Sequence, residues 1–204
     1  MPIVSQTNGL LAEFAVFPVE PQQQVAVVER VVRSIESTFR QQPGFISGSV
    51  IQSRDGLRVT SYIQWASQES YFATQSIADF APPDVHLFEI FASEPKTSEL
   101  HLLPSMDGLI NFGIFKMKQP DYQPRFIELF RQALEMVSGQ PGLISTHAHR
   151  SLDGWRCINF GHWQSLEAFT AMDSNRPFSP IFEEMLDRAN NEYQETLHEV
   201  VFTT

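Results

Sequence analysis

The 204-residue sequence predicts an α+β chain made of two tandem copies of one unit. Three observations carry that prediction. Trp65 and Trp163 stand 98 residues apart in matching settings, SYIQWASQESY and NFGHWQSLEAF. With that offset fixed, Phe14–Tyr71 aligns on Phe112–Phe169 without a gap. From Gln42 to Glu69, 12 of 28 positions repeat in Gln140 to Glu167, where ordinary composition gives roughly two by chance. Within each copy, apolar residues also switch between strand and helix periods in the same order.

In the first copy Leu11–Val19 is an apolar strand. Val28, Val31, Val32, Ile35 and Phe39 follow with helical spacing. Gln42-Pro43-Gly44 ends that helix, because proline cannot continue it and glycine permits the turn. Phe45–Gln52 and Leu57–Trp65 read as a hairpin around Arg54-Asp55-Gly56. Ser67 can cap a short helix, with Glu69 in its first turn. Val85–Phe91 is the last strand. The second copy repeats the order: strand Leu109–Met117, then a helix marked by Phe126, Ile127, Phe130, Leu134 and Val137. The hairpin Leu143–Arg150 and Trp155–Trp163 follows, around Asp153-Gly154. A further helix with Ile181, Phe182, Met185, Leu186 and Ala189 on one face precedes a final strand, Thr196–Thr203. Each half is therefore β-α-β-β-α-β, the ferredoxin-like plan. The expected halves are residues 1–92 and 109–204, joined by a linker over 93–108 that contains Pro95 and Pro104. A sheet with helices on one face must cover the other. The two sheets are therefore expected to pack face to face as a pseudo-dimeric α/β barrel.

Composition narrows the function classes. Lys and Arg number 14 against 24 Asp and Glu, a net charge of −10. An acidic chain with scattered cations disfavours nucleic acid as a partner. No apolar run approaches the roughly 20 residues that span a bilayer, and the N-terminus lacks the pattern of a signal peptide, so a cytoplasmic protein is expected. The single cysteine, Cys157, excludes an intrachain disulfide and thiolate-rich metal sites. The 17 Phe residues suggest an aromatic core or pocket.

The pattern strand–helix–QPGF/L–hairpin–W-x-S-x-E-x-Y/F resembles the antibiotic biosynthesis monooxygenase domain of the dimeric α/β-barrel superfamily, twice over. The resemblance implies oxidation of a small aromatic or enolisable substrate by O₂ as co-substrate, without flavin, haem or metal. In that family an Asn stands four residues before the Trp. Asn159 and Trp163 match it in the second copy, while Ser61 precedes Trp65 in the first. The family's aromatic residue six positions after the Trp is Tyr71 in one copy and Phe169 in the other. A first-strand Asn found in related proteins is Asn111 here, and Glu13 in the first copy. The resemblance thus implies catalytic roles for Asn111, Asn159 and Trp163, with Phe115 and Phe169 contacting substrate. Cys157 falls on the Asn159/Trp163 face, where it reads either as a further substrate contact or as a small buried hydrophobe. Ser61, Trp65 and Tyr71 form a degenerate counterpart.

Residues i and i+4 of a strand share a face, so Asn159 and Trp163 can line one pocket. Their N–H groups are neutral donors, suited to holding an enolate or phenolate that gives its electron to O₂. His147-Ala-His149 has no third ligand at a telling spacing and reads as polar lining of the sheet or an interface. Two other functions stay open: a non-catalytic ligand-binding or structural barrel, and haem binding or degradation. The second needs an axial histidine near the pocket; His86 and His198 lie on the last strands, and neither falls at a clear family position. The chain is expected to be a monomeric pseudo-dimer or a homodimer.

Overall fold

A computed structural model describes residues 1–74, 85–104, 106–175, 179–192 and 197–204. The strands are β1 (Ile3–Val4), β2 (Leu11–Pro18), β3 (Phe45–Ser53), β4 (Arg58–Trp65), β5 (Val85–Glu94), β6 (Leu100–His101), β7 (Leu109–Met117), β8 (Leu143–Ser151), β9 (Arg156–Trp163), β10 (Ala189–Asn191) and β11 (His198–Thr203). The helices are α1 (Gln24–Ser37), α2 (Gln68–Thr74), α3 (Gln123–Val137), α4 (Leu166–Asn175) and α5 (Ser179–Arg188).

Eight strands close a barrel in the order β7-β11-β3-β4-β2-β5-β8-β9, and β9 pairs back onto β7. The closing contacts are made between halves. Strand β5 of the first half pairs with β8, and β11 of the second pairs with β3. This is the expected sheet-to-sheet, pseudo-dimeric arrangement, with each half lending its last strand to the other.

Alternation along the strands sorts the side chains. Phe14, Phe112, Tyr62 and Phe160 point into the barrel. Phe14 and Phe112, equivalent in the repeat, meet edge to face with centroids 5.3 Å apart, and Tyr62 and Phe160 meet at 5.2 Å. Such contacts each add roughly 0.5–1.5 kcal/mol beyond the area they bury. Val4, Leu100 and Leu102 join this core, because β1 and β6 pair at the barrel's end. The outward-facing positions build two separate layers against the helices, one per half.

The repeated QPG has a second duty besides ending a helix. Gly44 and Gly142 have φ near +80°, and a Cβ on Gly142 would lie 2.3 Å from the Cβ of Ala168 in α4. The glycine carbonyl accepts from the backbone N–H of Ala66 or Gln164 at 2.8 Å, fixing the turn after the repeated Trp of each copy. A glutamine at the start of each long helix ties it to the hairpin: Gln24 Nε2 donates to the Ser53 and Arg58 carbonyls, and Gln123 Nε2 to those of Ser151 and Arg156.

Three local expectations change. Ala189 does not end a helix; it opens β10, which pairs antiparallel with β7 through Ala189–Met117 and Asn191–Phe115. The last strand of the first half runs to Glu94, and β6 lies inside the segment expected to be only a linker. Thr196, expected to open the final strand, lies outside the described residues.

The barrel interior also holds histidines. His147 bonds Ser93 Oγ and Ser145 Oγ, and His149 Nε2 lies 3.2 Å from the Tyr62 hydroxyl. Burial pushes their pKa values down to about 4 and about 3, so both are neutral. His198 is fully buried against Phe112, and neither of its ring nitrogens has a partner among the described residues. The Ile110 backbone and Asp55 favour its charged form, but burial outweighs them and, with Arg58, lowers its pKa to about 4. Its counterpart in the first half is Phe88: His198 lies across from Ser53 and Phe88 across from Ser151, which are equivalent serines. A folded-state pKa below the unfolded 6.5 gives stability that is present above pH 6.5 and lost as pH falls toward 4. His198→Phe is therefore expected to raise stability at neutral pH by about 1–3 kcal/mol, the cost of an unpartnered buried polar group. Denaturant melts between pH 8 and pH 4.5 check this, and the gain should widen as pH drops below 6.5.

Candidate functional site

The outer face of β7 presents Asn111, Gly113 and Phe115, three residues two apart. Strand β9 flanks it on one side, placing Asn159 across from Gly113 and Gly161 across from Asn111. Strand β10 flanks it on the other. Helix α3 covers this face with Phe130, Ala133, Leu134 and Val137, α4 adds Phe169 and Met172, and α5 adds Phe182 and Met185. The space they leave is a pocket of about 210 Å³.

Of the residues singled out in the sequence, Asn111, Asn159, Trp163, Phe115 and Phe169 line this one pocket. Trp163 and Phe169 meet edge to face with centroids 5.6 Å apart. Cys157 does not reach the wall. It lies across from Phe115, fully buried in the apolar layer, and burial pushes its thiol pKa up. It is a small packing residue rather than a substrate contact. The histidine candidates also lie elsewhere: His147, His149 and His198 are not among the pocket's lining residues, and His86 pairs with Asp153 at 2.6 Å near the hairpin turn. Among the described residues no cluster of three metal-ligating side chains occurs.

The polar groups are neutral amides. Asn159 Oδ1 accepts from Thr146 Oγ1 at 2.5 Å, which occupies its carbonyl end and leaves its N–H₂ available. Asn111 Nδ2 is buried with no partner among the described residues. An unsatisfied buried donor costs roughly 1–3 kcal/mol unless a ligand or water takes the bond. Gly161 decides where the indole goes: a Cβ there would lie 2.8 Å from Trp163 Nε1 and 3.6 Å from Asn111 Oδ1. Only glycine lets the indole edge settle over the strand beside Asn111.

The equivalent place in the first half is closed. It holds about 10 Å³, lined by Glu13, Phe17, Ile35, Phe39, Ser61 and Ile63 among others. The 98-residue offset places larger residues where the second half has small ones: Ile63 for Gly161, Ile35 for Ala133, Phe39 for Val137, Ala15 for Gly113. Trp65 is fully buried, packs on Phe39, Phe45 and Tyr71, and donates from Nε1 to Glu13 Oε2 at 3.1 Å. Burial raises the Glu13 pKa to about 7 against the favourable Trp65 bond. Ser61 lines this residual space.

Sequence reasoning missed Thr146, Gly161 and Asn191. The copy comparison carried a signal for the first two, because Gly48 and Ile63 stand at those positions in the first half. Nothing in the sequence announced Asn191, which reaches the pocket only through the unexpected β10.

Comparison with known proteins now adds family membership. The model of the antibiotic biosynthesis monooxygenase family matches residues 11–81 and again 113–184. The chain belongs to that family. It is 34% identical over 73 residues to tetracenomycin-F1 monooxygenase of Streptomyces glaucescens, a stretch that covers 36% of this chain and 65% of that protein. The fold is shared with an anthrone oxidase-like protein at a TM-score of 0.79 and 18% identity, over 100% of this chain and 96% of that one. It is also shared with a major regulator of staphylococcal pathogenesis, at a TM-score of 0.57 and 7% identity, over 93% and 98% of the two chains. The same barrel therefore occurs under quite different names, and the site rather than the fold must carry the function.

Two substitutions probe this asymmetry. Gly161→Ala is expected to push the Trp163 indole out of place and to weaken binding of a small aromatic probe such as indole at least roughly tenfold, about 1.4 kcal/mol, with folding retained. Titration calorimetry beside a thermal melt reads both. The second is Glu13→Gln. Because the folded pKa of Glu13 lies above the ordinary 4.5, its contribution to stability is intact below pH 4.5 and lost as pH rises through 7. Glutamine keeps an acceptor for Trp65 and cannot ionise. The variant should match the parent near pH 4.5 and exceed it by on the order of 3 kcal/mol at pH 8 in denaturant titrations.

Proposed function

We propose that the chain is a cofactor-independent monooxygenase that uses O₂ to oxidise a small aromatic or enolisable substrate in the pocket of its second half. The observation that carries this reading is Asn111 Nδ2, a buried donor without a partner in an otherwise apolar pocket that also contains Asn159 and Trp163. Family membership and the likeness to tetracenomycin-F1 monooxygenase support the reaction class.

The chemistry follows from what the pocket offers. An activated methylene becomes a carbonyl by taking one oxygen atom of O₂, and the other leaves as water; the methylene supplies the electrons, so no reductant enters. O₂ is a triplet and reacts with closed-shell carbon only after one electron has moved to it. An enolate or phenolate can give that electron. The task of the protein is to hold the anion in a dry site and stabilise its oxygen. The free N–H groups of Asn111 and Asn159 aim neutral dipoles at that charge. Phe115, Phe130, Phe169 and Phe182 supply flat apolar walls. Among the described lining residues there is no carboxylate, imidazole, amine or phenol. The substrate therefore brings its own acidity, and its proton leaves to solvent rather than to a side-chain base.

Asn159→Ala is expected to lower kcat about a hundredfold, the usual loss when one preorganised donor is removed, on the order of 3 kcal/mol. Ser61→Ala should change nothing. Oxygen consumption with anthrone as test substrate measures both; equal losses would reject the assignment to the second half. The pH–rate profile should also move with the pKa of the substrate when ring substituents change it. A profile fixed at one pH regardless of substrate would point to a protein base instead.

A further inference from the structure

Two atoms in this pocket lack partners. Asn111 Nδ2 is one, and Asn191 Oδ1 is the other: buried, without a hydrogen-bond partner among the described residues, and on the pocket wall. The two atoms have opposite character, a donor and an acceptor. They also sit apart. Asn111 is on β7 beside Asn159 on β9, while Asn191 is on β10, across the other edge of β7 and opposite Phe115. Strands β9 and β10 are two strand spacings apart, about 10 Å. Between them lies the ring of Phe115, folded back over Gly113, where a Cβ would be 3.5 Å from Phe115 Cε2. Asn111 stands four residues along β7 from Phe115, roughly 13 Å at the strand rise, so the donors lie toward one end of the floor and the Asn191 acceptor beyond the Phe115 ring at the other.

Asn191 is held where it is. The β10 pairing fixes its backbone against Phe115, and the next residue, Glu192, donates its N–H to the Ile114 carbonyl at 2.8 Å. Among the described residues β10 has no counterpart in the first half. Water can satisfy an exposed acceptor, but a ligand that displaces the water without replacing its bond loses affinity.

We propose that Asn191 is a specificity-determining residue, accepting a hydrogen bond from a hydroxyl on the far edge of a flat aromatic ligand whose opposite oxygen is held by Asn111 and Asn159. The ligand class is a fused aromatic with an oxygen at each end, at least one of them a hydroxyl. The inference rests on the pocket assigned above, and binding tests it separately from turnover.

The experiment is titration calorimetry without oxygen, using 2-naphthol, 2,6-dihydroxynaphthalene and 2,6-dimethoxynaphthalene. The last has an oxygen at each end that accepts but cannot donate. The intact protein should bind the diol at least roughly tenfold more tightly than either other probe, as a site built around a hydroxyl discriminates against analogues lacking it. Asn191→Ala should abolish that preference and leave 2-naphthol affinity unchanged. Asn111→Ala should weaken all three probes. Asn191→Ser, which keeps an acceptor in a smaller side chain, should restore part of the preference and guards against a folding defect in the alanine variant. Equal affinity for diol and methoxy probe, no binding of the diol, or a preference that survives Asn191→Ala would each overturn the proposal. Hydroxyl selectivity lost in Asn191→Ala, together with no oxygen consumption on any enolisable aromatic, would retain this inference and reject the monooxygenase reading. Asn159-dependent oxygen consumption without hydroxyl selectivity would do the reverse.

Discussion

The constraint on which everything else depends is the bare face of a half-sheet. Each β-α-β-β-α-β unit can cover only one side of its four strands with its own helices. The other side carries Phe14, Tyr62 and Phe88 in one half and Phe112, Phe160 and Val200 in the other, none of which can face water. Closing the barrel buries both sets at once. The strands β5 and β11 cross between halves and β10 covers the part of β7 that β11 leaves open, so neither half is complete without the other. Folding is therefore served by the interior. The outer layers, each between one half-sheet and its own helices, are free to differ.

The two outer layers have diverged in volume. Replacing Ile63, Ile35 and Phe39 with Gly161, Ala133 and Val137 at the repeat positions exchanges packing for space. The second half leaves about 210 Å³ open, and the first about 10 Å³. On the proposed reading, the opening lined by unsatisfied amides takes an occupant. The fully packed twin layer, with Trp65 locked by three aromatic neighbours and Glu13, serves as structure.

The fold was legible because it rests on period and repetition. Strand alternation, helical spacing and the recurrence of QPG and Asp-Gly all survive in a single sequence. So did the grouping of Asn159 and Trp163, since same-face geometry within a strand follows from the pleat, while Asn111 joined them through the family resemblance. What was hidden depends on contacts between segments. Cys157 shares a strand face with Asn159, yet the Phe115 ring and the helix layer bury it below the pocket, and no period reveals which residues on a face lie beneath others. Residues 189–191 look like the end of an amphipathic helix, and only the open edge of β7 turns them into a strand. With that strand comes Asn191. His198 shows the same limit from the other side: it stands where its counterpart is Phe88, and the sequence could not tell that its ring would be buried with both nitrogens unpaired.

On the proposed reading, the difference between Glu13 and Asn111 is what suits the second half and not the first to an anion. Glutamate is one methylene longer than asparagine, but the two stand at the same repeat position beside an equivalent tryptophan. In the first half the carboxylate and the indole N–H satisfy each other, so nothing remains to bind. Were that pocket open, an ionised Glu13 would repel an enolate, and a protonated one would offer its hydrogen only below about pH 7. Asparagine carries a donor at every pH and adds no charge. Neutral donors also suit the later steps better than a cation would. A lysine or arginine would hold the ground-state anion tightly and gain little as charge moves toward O₂, whereas a fixed dipole costs no reorganisation as the charge shifts. Thr146 completes this design by occupying the carbonyl end of Asn159, so the amide presents its N–H₂ and not its oxygen to the pocket.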